Sequence, residues 1–489
     1  MPNVPRVTRP YSRSPRKRVF WVLADTGAGR HISPEELGIS GRDRSWNAWA
    51  DNLLRVNRPQ FESLGIETGL VPRPDTISLV LRPSGIVGAI PLQSPDSHKI
   101  AGGVVVKPRF GWNGVGAVLN EIGWTAAPQL LKYPLVPGSA REVPPWVLAG
   151  PIIQRIGALL THLTRGFRLE EQIRQMPRGH ILWSKYVGEQ MAHGRYHQLP
   201  CQFPELGPDW LLRSYLRWSL ERVRSSLAGW ATLDLVARHL IEIADQLLWG
   251  LRDTCPRVPQ HRVLDQLATQ LALPTSILWD GLEAIGWLVD ERGLAGLSEM
   301  DGLSWRLPMS ELYERWVENI VRRWAHDFGG ATTTAREGNA RFPIYWERPG
   351  AGSLRDLAPD FVVQAGDSTY VFDAKYKAHF EELDDQRWSE LGEELRSEHR
   401  HDFHQALAYA SLFDTPRVVT SLVYPLFPTT WKTLAGQNRA VVRAKLPTHT
   451  RQIETSLLGL PLQLQPGQPA QELVQTLDVL REPLEGSGP

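Results

Sequence analysis

Three residues in the last third of the sequence have types and spacing suited to one chemistry. Pro359-Asp360 opens the β-like run DFVVQA, and Asp373-Ala374-Lys375 closes the next run, TYVFDAKY. Gly366 and Asp367 stand between the two runs, a hairpin signal. Pairing around that turn brings Asp360 and Asp373 toward one end of a sheet. Two carboxylates held close together repel unless something neutralises them, and a hard divalent cation (Mg²⁺ or Mn²⁺) does so. Residues i and i+2 of a strand share a face, so Asp373 and Lys375 project together. An ammonium there can orient or help deprotonate an attacking water and stabilise charge on a phosphate. The grouping points to phosphodiester hydrolysis. A surface hairpin with an Asp/Lys cross-strand pair is the other reading of the same residues.

Of the 54 basic residues, nine are lysine. A position that keeps lysine in such a chain points to a need for a compact ammonium rather than a planar guanidinium fork. Two further groups flank the trio. Upstream, Glu314 in LYERW borders the helix face made by Tyr313, Trp316, Val317 and Ile320. From there its carboxylate could reach a metal, or it stands solvated on the surface. Downstream, Gln405 and Tyr409 in HQALAYA lie one helical turn apart and can face one target. They would hold the lysine, a metal-bound water or the substrate backbone, or else serve packing and capping. His399, His401 and His404 invite a zinc site, but they lack a cysteine or paired HExxH context, and only His401 and His404 share a helix face. A solvated, phosphate-facing histidine is the simpler reading.

Such residues need a rigid frame, and the sequence predicts an α/β domain over 303–489. SELYERWVENIVRRWAHDF reads as a helix with Ser310 as N-cap and Gly329-Gly330 as its stop. FPIYWE, DFVVQA and TYVFDAKY read as strands, RHDFHQALAYASLF as a helix, and VVTSLVYPLF as a buried strand. Helix, strands, helix, strand is a layered order rather than a bundle.

Upstream, 143–302 has helical periodicity in WVLAGPIIQRIGALLTHLTRGF, LLRSYLRWSLERVRSSL, LDLVARHLIEIADQLLWGL and ILWDGLEAIGWLVD, with prolines at 200, 204, 208, 256 and 259 as separators. A helical middle domain follows. Its tryptophans are read as core, with base-stacking surfaces as the alternative. Over 19–142 the short runs VFWVLAD, ISLVLRP, GIVGAIPL and AGGVVVKPRF, broken by Gly and Pro, predict a β-rich N-terminal domain. GWNGVGAVLNEIGW is read as turns with close backbone packing, because it lacks GxxxxGK[ST]. That motif occurs nowhere in the sequence, so the chain is not expected to hydrolyse a nucleotide alone. Residues 1–18 form a basic arm that is either a flexible phosphate contact or a solvated terminus.

Bulk properties exclude several classes. With 42% hydrophobic and 22% charged residues the composition is that of a globular protein. A net charge of +1 gives no global attraction to nucleic acid, so any such attraction must be local. Cys201 and Cys255 cannot build a disulfide framework or a Cys-rich zinc site, and fit a reducing compartment. No apolar run approaches the roughly 18 residues of a spanning helix, so the expected location is the cytoplasm.

LYERW, APDFVV, VFDAKYK and HQALAYA, in that order and spacing, resemble the McrC-like nuclease subunits of McrBC-type, modification-dependent restriction systems. HQALAYA is similar to the QxxxY element of Cas4- and RecB-like nucleases. More weakly, AGGVVVKPRF is similar to the family's strand ending in a Pro-Lys or Lys-Pro pair, and PRGHILW to its Arg-Gly-x-Ile element. The resemblance implies a PD-(D/E)xK fold in the C-terminal domain and a Mg²⁺- or Mn²⁺-dependent DNA endonuclease. Asp360, Asp373 and Glu314 would be at the metal, with Lys375, Gln405 and Tyr409 completing the catalytic site. It further implies a separate AAA+ GTPase or ATPase partner onto which the N-terminal and helical regions dock. The second acidic position is Asp373 rather than Glu, which the pattern allows. The alternative is a non-catalytic adaptor that grips DNA or stimulates a motor, although such a protein would have no need to keep Asp360, Asp373 and Lys375 together. RNA remains open as substrate, since metal-assisted hydrolysis is indifferent to the 2′-hydroxyl unless something reads it.

Overall fold

The computed structural model describes residues 19–484 except 28, 38–44, 73–76, 135, 137–142, 164–165, 208–209, 233, 271–274, 290–301, 348–353, 378–379, 381–391, 447, 449–450 and 463–469. The basic arm at 1–18 lies outside the described residues. The chain folds as two compact units: one joins the sequence before Pro145 to that after Ser298, and the other is Pro145–Ser298.

The first unit begins with β1 (Val19–Ala24), β2 (Arg30–Ile32), α1 (Ser45–Val56), α2 (Arg58–Ser63), β3 (Ile66–Pro72), β4 (Ile77–Pro83), β5 (Ile86–Gln93) and β6 (Ile100–Lys107). The four runs read as strands are β1, β4, β5 and β6. Strands β1 and β6 pair in parallel, β5 and β6 antiparallel, and β2-β4-β3 form a separate antiparallel sheet. Trp21, Trp46, Trp49, Phe61, Leu81 and Val104 are among the residues of the core beneath them. Full burial of a large apolar side chain is worth about 1.5–3 kcal/mol.

The glycine-containing segment read as turns is instead helix α3 (Trp112–Glu121), followed by β7 (Gln129–Leu130). Its Gly114, Val115, Gly116, Val118 and Leu119 are buried, and that packing outweighs the roughly 1 kcal/mol each helical glycine costs.

The second unit contains α4 (Trp146–His162), β8 (Gly166–Arg174), β9 (His180–Ile181), α5 (Trp183–Lys185), β10 (Leu199–Gly207), α6 (Trp210–Ala228), α7 (Leu235–Trp249), α8 (His261–Gln270) and α9 (Thr275–Val289). The four long periodic segments are α4, α6, α7 and α9. Asp234 caps α7 by accepting the Val236 N–H at 2.8 Å and also takes the Trp146 indole N–H at 2.6 Å, which ties α7 to α4. The antiparallel sheet β8-β10-β9 departs from the all-helical expectation. Pro200 and Pro204, read as separators, stand within β10, opposite Ile173 and Leu169 of β8.

The chain then re-enters the first unit as β11 (Trp305–Pro308), which pairs with both β5 and β7, so its residues complete the N-terminal sheet. Gly88 permits that approach: a Cβ there would meet the Trp305 carbonyl oxygen at 2.2 Å. Helix α10 (Met309–Asp327) follows at once. Ser310 is therefore inside the helix rather than its N-cap. The Met309 N–H donates to Gly85 O at 2.9 Å, so a backbone carbonyl meets the orphan donor that a side-chain cap would serve. The stop is as expected: Gly329 is left-handed at φ 72°, with Gly330 N–H donating to Ala325 O and Gly329 N–H to His326 O.

Next come β12 (Ala331–Thr334), β13 (Phe342–Pro343), β14 (Asp356–Leu357), β15 (Phe361–Ala365), β16 (Ser368–Ala374), α11 (Glu393–Ala410), β17 (Arg417–Leu426), α12 (Pro428–Gly436), β18 (Val441–Leu446), β19 (Gln452–Pro461) and α13 (Ala470–Thr476). Of the run FPIYWE, only Phe342–Pro343 is a strand. Among the described residues, a mixed sheet runs β12-β15-β16-β17-β19-β18, parallel at β16/β17 and β17/β19. Strand β17 is buried along its whole length, as a central parallel strand must be.

Strand parity decides which residues meet which helix. Tyr370 and Phe372 of β16 pack edge-on against Trp324 of α10, while Val371 packs with Tyr409 and Ala410 of α11. Asp373 has the parity of Val371.

Candidate active site

The β15–β16 hairpin turns at Gly366-Asp367, with Gly366 at φ 55° and Ala365 opposite Ser368. In that register Phe361 faces Phe372, so Asp360, just before β15, lies beside the end of β16. The Asp360 Oδ2 accepts the Ala374 N–H at 2.8 Å, and the Asp373 carboxylate lies near enough for the two charges to act on each other. Asp373 is 5% exposed. Burial, then the neighbouring Asp373 and Glu314 charges, push the Asp360 carboxyl up to about 8. Burial also raises Asp373, opposed by Lys375. The two acids hold one proton more readily than two negative charges.

Beyond β16, the Lys375 N–H continues the parallel pairing by donating to Val423 O at 2.7 Å. Its Nζ stands 2.6 Å from Asp373 Oδ2 and donates to Gln405 Oε1 at 2.9 Å. The Gln405 amide is oriented in turn, because its Nε2 donates to the Tyr409 hydroxyl at 2.6 Å. Tyr409 donates to Ala358 O at 3.2 Å, one residue before Pro359-Asp360. Burial and the nearby Asp373 charge push the Tyr409 phenol up to about 12, so it stays a donor at neutral pH. The chain Lys375–Gln405–Tyr409–Ala358 thus closes a ring around the two acids. Of the roles the sequence left open, Gln405 holds the lysine, while Tyr409 reaches it only through Gln405 and also packs in the core.

Glu314 is placed differently. Its Oε1 takes a hydrogen bond from Arg336 Nη2 at 2.7 Å, and burial, against the pull of Arg336 and Arg315, raises its carboxyl. It is near enough for its charge to act on Asp360, yet its oxygens face Arg336. Among the described residues no group of three or more His, Cys, Asp or Glu side chains surrounds a single metal position. The Asp360–Asp373 pair still fits a hard divalent cation by its chemistry: two adjacent buried carboxylates hold a proton where a cation would release it, and Mg²⁺ takes few carboxylates beside water and phosphate.

Sequence reasoning missed a second layer. Lys377 places Nζ 3.1 Å from each carboxylate oxygen of Asp402, one turn before Gln405 on α11, and 3.5 Å from Glu398. Asp402 is 2% exposed and also takes a hydrogen bond from Tyr424 at 3.4 Å. The scarcity of lysine applied to Lys377 as much as to Lys375 and could have marked it. His399 on the same helix is half-buried, and burial lowers its imidazole.

Residues 292–425 match the family model described as McrBC 5-methylcytosine restriction system component, so this stretch of the chain is McrBC-like. The four motifs LYERW, APDFVV, VFDAKYK and HQALAYA all fall inside it. No curated protein matches the chain. Among solved structures, a half-complex from a tetradecameric assembly of Thermococcus gammatolerans McrB AAA+ hexamers with bound McrC is 12% identical, covering 94% of this chain and 100% of that one, at a TM-score of 0.40. The Thermococcus gammatolerans McrBC complex is 11% identical over 63% of this chain and 88% of that one, at a TM-score of 0.26. Likeness at these scores carries no argument about fold or partners. Among the described residues no helix is long and apolar enough to cross a membrane.

Proposed function

We propose that this chain is the DNA-cleaving, Mg²⁺- or Mn²⁺-dependent nuclease subunit of a McrBC-type restriction system, with a PD-(D/E)xK domain as its catalytic part. The observation that carries the reading is the convergence of Asp360, Asp373 and Lys375 at one sheet end, inside the McrBC-like stretch. Asp360 and Asp373 would hold the cation. When bound, it would supply Lewis-acid stabilisation of phosphate charge and a more acidic water. Asp360 and Asp373, whose carboxyls burial raises, would be held ionised by it. Lys375, beside Asp373 and held by Gln405, would present its ammonium to the attacked phosphate and the water. Tyr409 fixes Gln405, and Gln405 fixes the direction of Lys375. Glu314, whose charge already acts on Asp360, would add its carboxylate to the cation from its place beside Arg336.

The partner in this reading is a separate AAA+ GTPase or ATPase. Its support is the absence of GxxxxGK[ST] from these 489 residues together with the McrBC-like stretch. The test is cleavage of plasmid DNA with Mg²⁺ or Mn²⁺, wild type against Asp373→Ala, with and without a candidate AAA+ partner protein. Cutting that requires Asp373 supports the nuclease. DNA binding without cutting in every condition would replace it with the adaptor reading.

A further inference from the structure

Between the two lysines of the site stands Tyr376, whose side chain belongs to neither ion pair. The Lys377 N–H donates to Lys375 O at 2.8 Å, so Tyr376 is the middle residue of a tight turn that spaces Lys375 from Lys377. Its hydroxyl donates to the Asp25 Oδ2, 351 residues away in sequence. Asp25 follows β1 directly and is fully buried. The other Asp25 oxygen accepts the Arg109 N–H at 3.0 Å, and the Arg109 guanidinium lies 4.8 Å from the centre of the Tyr376 ring. That guanidinium is also 4.7 Å from the Phe110 ring and donates to Thr26 at 3.3 Å.

The backbone around this group is fixed on every side. Asp25 N–H donates to Lys107 O at 2.9 Å, and Gly85 N–H donates to Asp25 O at 2.7 Å. Gly85 O receives the Met309 N–H at the start of α10, the helix that carries Glu314. Gly85, at φ 83°, takes a left-handed turn that favours glycine, and a Cβ there would only touch the Tyr376 ring, at 3.4 Å. The ends of β1 and β6, the β4–β5 turn and the first residue of α10 therefore converge on one tyrosine. That tyrosine adjoins Lys375.

A buried carboxylate is costly unless hydrogen-bonded, and Asp25 is, through the Tyr376 hydroxyl and the Arg109 backbone N–H, with the Arg109 charge nearby. Packing alone would be served as well by phenylalanine and an apolar partner. The polar contact adds direction, because a hydroxyl bonded to a fixed carboxylate sets the ring and with it the turn that aims both lysines.

We propose that Tyr376 is a positioning residue for Lys375 and Lys377, held by Asp25 and Arg109, and that through it the N-terminal sheet sets the alignment of the catalytic strand end. The catalytic consequence rests on the nuclease reading; the positioning itself does not. In the nuclease, Tyr376 touches no substrate and acts through the turn 375–377.

The test uses the full chain with its partner protein and compares wild type, Tyr376→Phe, Asp25→Asn and Asp25→Leu. Tyr376→Phe removes one oxygen, so it tests the contact with little risk to folding. Amide hydrogen exchange at Lys375 and Lys377 should quicken in Tyr376→Phe and Asp25→Leu while the rest of β16 stays protected. In plasmid cleavage kcat should fall about tenfold or more at unchanged KM, because small misplacements of a reacting group are costly. Asp25→Asn, which keeps an acceptor for the hydroxyl, should recover most of both. Wild-type exchange at Lys375 in Tyr376→Phe would overturn the proposal, as would wild-type kcat in Asp25→Leu. If the wild type cuts nothing, the nuclease reading fails, and the exchange measurement still decides the positioning.

Discussion

Arg336 holds Glu314 and Glu318 together, with Nη2 2.7 Å from one carboxylate and Nη1 3.2 Å from the other. Glu318 is further paired with Arg315 and Arg322, so Arg336 joins an existing charged cluster on α10. The Glu314 charge also acts on Asp360 and helps raise its carboxyl. A guanidinium on Oε1 fixes the orientation of Glu314 and offsets its charge, so Arg336 would weaken Glu314 as a ligand for a cation.

Arg336→Met should raise Mn²⁺ affinity by roughly three- to fivefold, the worth of about 1 kcal/mol for a partly exposed ion pair. Binding is read by Mn²⁺ electron paramagnetic resonance, independently of cutting. The gain should vanish in the Arg336→Met, Glu314→Gln double variant. A gain that persists there would mean that Arg336 acts by charge alone and that Glu314 is no ligand.

The acid pair predicts an unusual pH dependence. Asp360 is raised from an ordinary value near 4 to about 8 in the folded protein. A raised carboxyl favours folding while protonated, so its contribution is present below about pH 4 and is lost as pH climbs through about 8. Metal-free protein should therefore melt at lower temperature as pH rises from 5 to 8, and added Mn²⁺ should restore more at pH 8 than at pH 6. Asp360→Asn should flatten the slope and abolish cutting. The same slope in that variant would locate the effect elsewhere.

The hairpin and the acid pair were legible because their signals are local: a Gly-Asp turn between two apolar runs, and carboxylates at strand ends. The α/β order of the last region was legible for the same reason. What sequence could not give was long-range. Glu314 was rightly placed beside the helix face, but Arg336, 22 positions on, captures it. Trp305–Pro308 was assigned by continuity to the C-terminal region, yet its edge pairs with β5 because Gly88 lets the backbones meet. Gly114 and Gly116 looked like turn residues until their burial in α3 supplied a reason for glycine within a helix. Asp25 is one acidic residue after a strand, and nothing near it in sequence announces Tyr376.

The two lysines of the site should separate by experiment. Lys377 neutralises a buried aspartate, so Lys377→Met leaves Asp402 its Tyr424 hydrogen bond but removes the cation and should cost about 1–3 kcal/mol in urea unfolding. The double variant Lys377→Met, Asp402→Asn should recover most of that loss, because the two side chains form one unit. Lys375→Arg should leave stability near wild type and still abolish cutting, since the planar fork cannot replace a compact ammonium beside Asp373 and Gln405. Full activity in Lys375→Arg would remove the lysine from the chemistry. A stable Lys377→Met would remove Asp402 from the frame.

Behind the site, Arg417 at the start of β17 makes the opposite electrostatic prediction. Its Nε and Nη2 reach the two oxygens of the fully buried Glu454 at 2.9 and 3.2 Å, and Arg443 shares that carboxylate. Arg417 also donates to the carbonyls of Leu480, Arg481 and Glu482, so the pair fastens the segment after α13 to the sheet. Burial works against the Glu454 charge, but the hydrogen bonds from Arg417 and Arg443 prevail and hold its carboxyl below the usual range. A depressed carboxyl stabilises the fold above its unfolded value near 4.3, and that contribution is lost as pH falls through the lower folded value. Glu454→Gln should therefore lose about 3–5 kcal/mol at pH 7, where the arginines keep their carbonyl partners but lose their counter-charge, and lose progressively less against wild type as both are taken below pH 4. Hydrogen exchange over residues 478–482 should quicken in the same variant. A constant difference from pH 7 to pH 3, with those residues still protected, would show that shape rather than charge holds the C-terminal segment in place.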